Sequence, residues 1–143
     1  MTRRPVVIDA NFAAKIVLPN PMREVCCNAM GYLIRKGYDP VAPTLWAYEV
    51  TSAVCKAIHF GYLTEDEGEQ SLHQLLCLNV MLKSPQIEDN YRAMMWTRKL
   101  KRAATYDSFY LALAETLGCE LWTADQRLIN SVNVPWVRWV GDL

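Results

Sequence analysis

The chain has 143 residues, of which 52% are apolar, and its 15 Lys+Arg balance 15 Asp+Glu to a formal net charge of zero. That apolar content excludes disorder as a description of the whole chain, and the length suits one domain spanning residues 1–143. Neutrality excludes a general polyelectrolyte-type nucleic-acid binder, so any such partner has to be held by a local patch.

Pro5-Val6-Val7-Ile8 is a short run rich in β-branched residues and predicts a buried strand ending at Asp9. Asp9 also stops the run far short of the apolar core of an export signal. Asn11 to Leu18 predicts a short helix halted by Pro19. Asn20-Pro21 then supplies a cap and a first-turn proline for a helix ending at Gly37. Residues 40–43 predict a second strand, and Thr44 caps a helix reaching Phe60-Gly61. Thr64 with Glu67 has the spacing of a capping box for a helix through about Leu78. Val80-Met81-Leu82 predicts another short strand, with a helix end as the alternative.

Ser84-Pro85 opens a helix expected to turn Ile87, Tyr91, Met94 and Met95 inward and to end in the basic run Arg98 to Arg102. That run either completes a helix C-terminus or holds phosphates. Asp107 starts a helix with Phe109, Leu113 and Leu117 on one side and Gly118 as its stop. Glu120 to Thr123 predicts a strand, Asp125 one further helical turn, and Val137 to Val140 a last edge strand. Helical patterns alternating with short, fully apolar strands give an α/β class: a parallel sheet covered on both faces.

No apolar segment approaches the roughly 20 residues that span a bilayer, so no membrane partner is expected. The five cysteines, at 26, 27, 55, 77 and 119, show no C-x-x-C spacing, which argues against structural zinc or a disulfide framework. Unpaired thiols make the cytoplasm the default compartment. His59 and His73 are isolated on predicted helices, and the five tryptophans are spread along the chain and read mainly as core.

In open α/β sheets, sites form outside the carboxyl ends of the strands. Asp9 ends the first strand, Asp125 follows the strand through Thr123, and Asp107 begins the helix just upstream of it. Glu49, in the second turn of the helix after strand two, reaches toward the same edge. Four carboxylates together without a counter-charge force at least one to stay protonated. A hard divalent cation removes that conflict, and metal-bound water can attack phosphorus. Taken singly, each residue has a plainer account. Asp is a favoured N-cap, and Glu49 lies on a polar stripe with Ser52, Lys56 and His59 that suits a solvated helix face. A dehalogenase-like phosphohydrolase carries Asp-x-Asp after strand one, whereas this chain has Asp9-x-Asn11; dinucleotide and P-loop glycine motifs are absent from the sequence.

The segments VVIDANFAAKIVLPNP, APTLWAYEVTSAV and TYDSFYLALAETLGCELWTADQRL resemble the three signature regions of the PIN domain, in its VapC toxin subgroup. The third is the most specific, because an Asp-led helix ending in Leu-Gly leads into a strand and T-x-D. The resemblance implies a three-layer PIN-like fold, a short central parallel sheet with helices on both faces. It also implies a ribonuclease dependent on Mg²⁺ or Mn²⁺ that hydrolyses phosphodiesters. The family's acidic quartet falls on Asp9, Glu49, Asp107 and Asp125, with the three aspartates as direct or water-mediated ligands. Glu49 binds metal or orients the attacking water on this reading. Thr123 matches the hydroxyl residue two places before the last Asp. Asn11 departs from the Ser or Thr of many relatives, although an amide still hydrogen-bonds there. Lys15 and Arg127, close in sequence to the quartet, are candidates for contacting RNA. The resemblance further implies a small antitoxin that blocks the site, and a homodimer. Two other readings stay open: a PIN nuclease of RNA processing or decay without an antitoxin, and a catalytically silent PIN-fold binding module.

Overall fold

The computed structural model describes residues 4–102 and 105–143. Its sheet is built from β1 (Arg4–Ile8), β2 (Tyr38–Pro43), β3 (Met81–Lys83), β4 (Leu121–Thr123) and β5 (Val137–Trp139), in the spatial order β3-β2-β1-β4-β5. Every pairing in this sheet is parallel. Parallel neighbours need crossovers, and these are α1 (Ala10–Val17) with α2 (Arg23–Arg35), α3 (Leu45–His59) with α4 (Glu65–Leu76), α5 (Ile87–Lys99) with α6 (Tyr106–Leu117), and α7 (Gln126–Val132). The chain moves one way from β1 to β3 and the other way from β4 to β5, so right-handed crossovers put α1–α4 and α5–α7 on opposite faces. The packing agrees: α1 lies against α2, α3 and α4, while α5 lies against α6 and α6 against β1 and β2.

Val6, Val7, Ile8, Leu121 and Leu111 are completely buried, as expected of a sheet with both faces covered. Thr64 and Glu67 close the capping box anticipated for α4. Gly118 ends α6 at φ 63°, a left-handed conformation that glycine adopts without the Cβ clash. Cys26 is buried and the five cysteines are free thiols. Trp46, Trp96 and Trp122 are buried, and Trp136 and Trp139 pack half-buried against the core. Among the described residues, no helix is long and apolar enough to cross a membrane.

Three local expectations change. Helix α2 starts at Arg23 because Asn20 closes the preceding turn instead of capping. Its Oδ1 accepts from the Met22 amide at 2.8 Å, and its Nδ2 donates to the Lys15 and Leu18 carbonyls at 3.0 and 2.7 Å. Thr44 precedes α3 but makes no side-chain cap. The larger correction concerns α5. Ile87, Tyr91, Met94 and Met95 are exposed at 76, 66, 47 and 54%, and the buried face is Asp89, Ala93, Trp96 and Thr97. Polar links to α6 decide this. Thr116 donates to Asp89, the Trp96 indole donates to Glu115, and the Thr97 and Ser108 hydroxyls are hydrogen-bonded to each other. Each bond satisfies a group that burial would otherwise penalise.

Candidate active site

The reversal of chain direction lies between β1 and β4, the place where open α/β sheets form a crevice beyond the strand ends. Register levels the two strands: Ile8 is opposite Trp122, and the Asp9 amide donates to the Trp122 carbonyl at 3.4 Å. Asp9 therefore stands abreast of Thr123, with Asp125 two residues on.

Asp9 and Asp125 are both helix caps. Asp9 Oδ1 accepts from the Phe12 amide at 2.8 Å, and Asp125 Oδ1 accepts from the Arg127 amide at 3.0 Å. Capping and facing the crevice are thus one placement, since the first helical turn after each strand begins at the sheet edge. Thr123, fully buried, joins the pair. Its Oγ1 accepts from the Asp125 amide at 3.0 Å, and its hydroxyl bonds to the Asp9 carboxyl. Asp107 is not a cap; it sits in the first turn of α6, with Thr105 at the cap position. Its Oδ2 lies 3.3 Å from Nη1 of Arg102.

Glu49 enters from α3. The Tyr110 hydroxyl, one turn along α6 from Asp107, donates to Glu49 Oε1 at 2.6 Å. Tyr110 is 2% exposed, so this bond ties the glutamate to the helix that carries Asp107.

All four acids line one cleft of about 480 Å³, together with Asn11, Lys15, Ser52, Lys56 and Tyr110. Burial pushes the Asp9 carboxyl up to about 7, against the pull of hydrogen bonds from Thr123 and Phe12, and the charges of Asp107 and Asp125 add to the rise. Glu49 is also raised, first by burial, against its bond from Tyr110 and with a contribution from Asp107. The cleft is short of positive charge, and its donors are carboxylate oxygens, the ligands hard divalent cations take. In chemistry the set fits such a cation. Among the described residues, however, no three carboxylates, imidazoles or thiols are grouped tightly enough to hold one as they stand. The side chains are instead engaged with Phe12, Tyr110, Arg102 and Arg127.

Of the two predicted RNA contacts, Lys15 lines this cleft, with its Nζ 3.8 Å from the Met22 sulfur. Arg127 faces a second, adjoining cavity. Phe12 and Val17 of α1 are buried in the core, and Ile16 packs partly buried against it. Leu18, Pro19 and Ala14 supply the apolar rim. Tyr110 escaped the sequence reading, and Arg102 entered it only as the end of a basic run. Tyr110 had a usable signal, its i+3 spacing from Asp107 on one helix face. Ser52 and Lys56, read as a solvated stripe with Glu49, line the cleft as well.

No family model matches the chain. Over 128 residues it is 30% identical to Ribonuclease VapC3 of Pyrobaculum aerophilum, an alignment covering 86% of this chain and 91% of that protein. Its fold matches that of Mycobacterium tuberculosis VapC20, a sarcin-ricin loop cleaving toxin, with a TM-score of 0.65 at 12% identity over 93% of this chain and 98% of that one. It also matches VapBC2 of Rickettsia felis, solved with a DNA fragment from its promoter, with a TM-score of 0.66 at 13% identity over 94% and 96% of the two chains. With a ribonuclease relative aligned across nearly its whole length, and the α/β architecture of the toxins, the chain belongs to the VapC family of PIN-domain ribonucleases.

Proposed function

We propose that the chain, as one PIN-like domain over residues 1–143, is a metal-dependent ribonuclease and the toxin of a toxin–antitoxin pair. The observation that carries this reading is the meeting of Asp9, Glu49, Asp107 and Asp125 in one cleft at the sheet's switch point. Bound Mg²⁺ or Mn²⁺ supplies an activated water and charge stabilisation on the phosphoryl oxygens. Asp9, Asp107 and Asp125 are the residues that hold the cation, directly or through water. Glu49, held by Tyr110, adds a ligand or orients the water. Thr123 keeps Asp9 and Asp125 in register, and Asn11 and Lys15 lie where the substrate enters.

Two partners follow. An acidic cleft attracts cationic side chains. An antitoxin blocks it by placing an Arg or Lys among the four acids while its apolar residues cover Ala14, Leu18 and Pro19. The second is another copy of the chain. On α5, Ile87, Tyr91, Met94 and Met95 form an exposed stripe, with Glu88 at one end and Arg98 and Lys99 at the other. Two-fold antiparallel pairing of α5 with itself sets acid against base along that stripe. The five free thiols and an RNA substrate suit the cytoplasm.

The test is RNA cleavage by purified Asp107→Asn and by the parent chain in excess EDTA. Asp107 caps nothing, so the amide leaves the fold intact while removing an anionic ligand. Both conditions should abolish cleavage, and full activity in either overturns the mechanism. A small DNA-binding protein encoded beside the gene, co-purifying and inhibiting, separates the toxin from a nuclease of RNA processing or decay.

A further inference from the structure

Behind the acidic cleft lies a second cavity, of about 560 Å³, lined by Arg102, Asp107, Asp125, Arg127, Asn130 and Ser131. Asp107 and Asp125 form the wall between the two, so the same carboxylates face the cleft on one side and two guanidinium groups on the other. Arg102 is brought there by a turn in the backbone. Lys101 adopts a left-handed φ of 55°, uncommon for a residue with a Cβ, and the Arg102 amide folds back to the Thr97 carbonyl at 3.1 Å. The run of cations ending α5 therefore does more than complete a helix terminus: its last member is returned to the site.

Neither arginine is fully committed to the acid beside it. Arg127 Nε is 3.8 Å from Asp125 Oδ1, the outer limit of an ion pair, and its side chain is 92% exposed. Arg102 reaches Asp107 through Nη1 at 3.3 Å, one of the five donors a guanidinium offers. Such exposed pairs contribute little to stability. Two forked donors in one cavity, with a polar amide and a hydroxyl lining it as well, are the chemistry that recognises a phosphodiester. A chain with zero net charge draws nothing from a general positive field, so a polyanion has to be held by a local arrangement of this kind.

Resting on the ribonuclease reading, we infer that this cavity is a phosphate subsite, in which Arg102 and Arg127 hold the phosphodiester next to the one at the acid cluster. The RNA strand then passes over the ridge of Asp107 and Asp125, one phosphate on each side.

The experiment uses full-length chains carrying Glu49→Gln to slow cleavage, with millimolar Mg²⁺, and follows the anisotropy of a labelled RNA decamer across a salt series. Glu49 lines the cleft but not the second cavity. Adding Arg102→Gln and Arg127→Gln together should weaken binding about tenfold, as expected for losing charged hydrogen bonds. It should also lower the slope of log Kd against log salt by about 0.7, the signature of one lost phosphate contact on a single strand. Arg35→Gln, at the end of α2 that leads into the opposite edge of the sheet, should change neither. Parent-like affinity and slope in the double variant overturn the subsite, as does an equal loss in Arg35→Gln, which marks a diffuse charge effect. Either result leaves the ribonuclease reading standing if the parent chain cleaves RNA. A parent chain that neither binds nor cleaves RNA overturns that reading and the subsite with it.

Discussion

Asp9→Asn should make the cation-free protein more stable at pH 8 and leave it about equally stable at pH 4. In an unfolded chain this carboxyl titrates at its ordinary 3.8, whereas in the native cleft burial holds its proton to about pH 7. Between those values the native state is the more protonated, so native stability falls as pH rises and is lowest once Asp9 ionises in place. A rise from 3.8 to about 7, at 1.36 kcal/mol per pH unit, is on the order of 4 kcal/mol, an upper bound that rearrangement of the cleft reduces. Asparagine does not ionise, yet its Oδ1 can still accept from the Phe12 amide, so the cap of α1 is kept. The variant should therefore gain on the parent by about 2–4 kcal/mol between pH 4 and pH 8. Urea unfolding in EDTA at several pH values measures this directly. Glu49, raised in both proteins, largely cancels in the comparison. A difference between variant and parent that stays flat across that range would refute the reasoning, because it would mean the charge on Asp9 costs the native state nothing.

Three further outcomes are expected. Millimolar Mg²⁺ or Mn²⁺ should raise the parent's Tm by linkage, about 1.4 kcal/mol at ten times Kd, and the shift should shrink in Asp9→Asn; no shift with either ion in a thermal scan argues for a silent binding module. Tyr110→Phe should fold normally but lose the bond that draws Glu49 downward, so the acidic limb of kcat/KM against pH should move up and kcat should fall about tenfold; an unmoved limb removes Tyr110 as a positioning residue. Tyr91→Arg, on the exposed face of α5, should turn a dimer into a monomer in light scattering, and a monomeric parent chain would dismiss that face.

The sequence by itself determines the elements and the edge on which the site sits. Strands such as Val6-Val7-Ile8 are short, apolar and β-branched, helices end at local signals such as Gly118, and parallel connectivity sends Asp9 and Asp125 to one end of the sheet. All of that is encoded within a few residues or in the order of elements. Capping was legible too, but not its compatibility with a site, since only the levelling of β1 with β4 shows Asp9 and Asp125 sharing Thr123. Tertiary docking decides the rest. Tyr110 and Glu49 are 61 residues apart and meet because α3 and α6 converge on the cleft. The apolar spacing of Ile87, Tyr91, Met94 and Met95 suggests a core-facing stripe, yet the helix turns its other side inward. Periodicity reports that a helix has two faces; which one is buried depends on the surface it meets, and here α6 offers hydrogen-bond partners to Asp89, Trp96 and Thr97 that only the folded chain brings within reach.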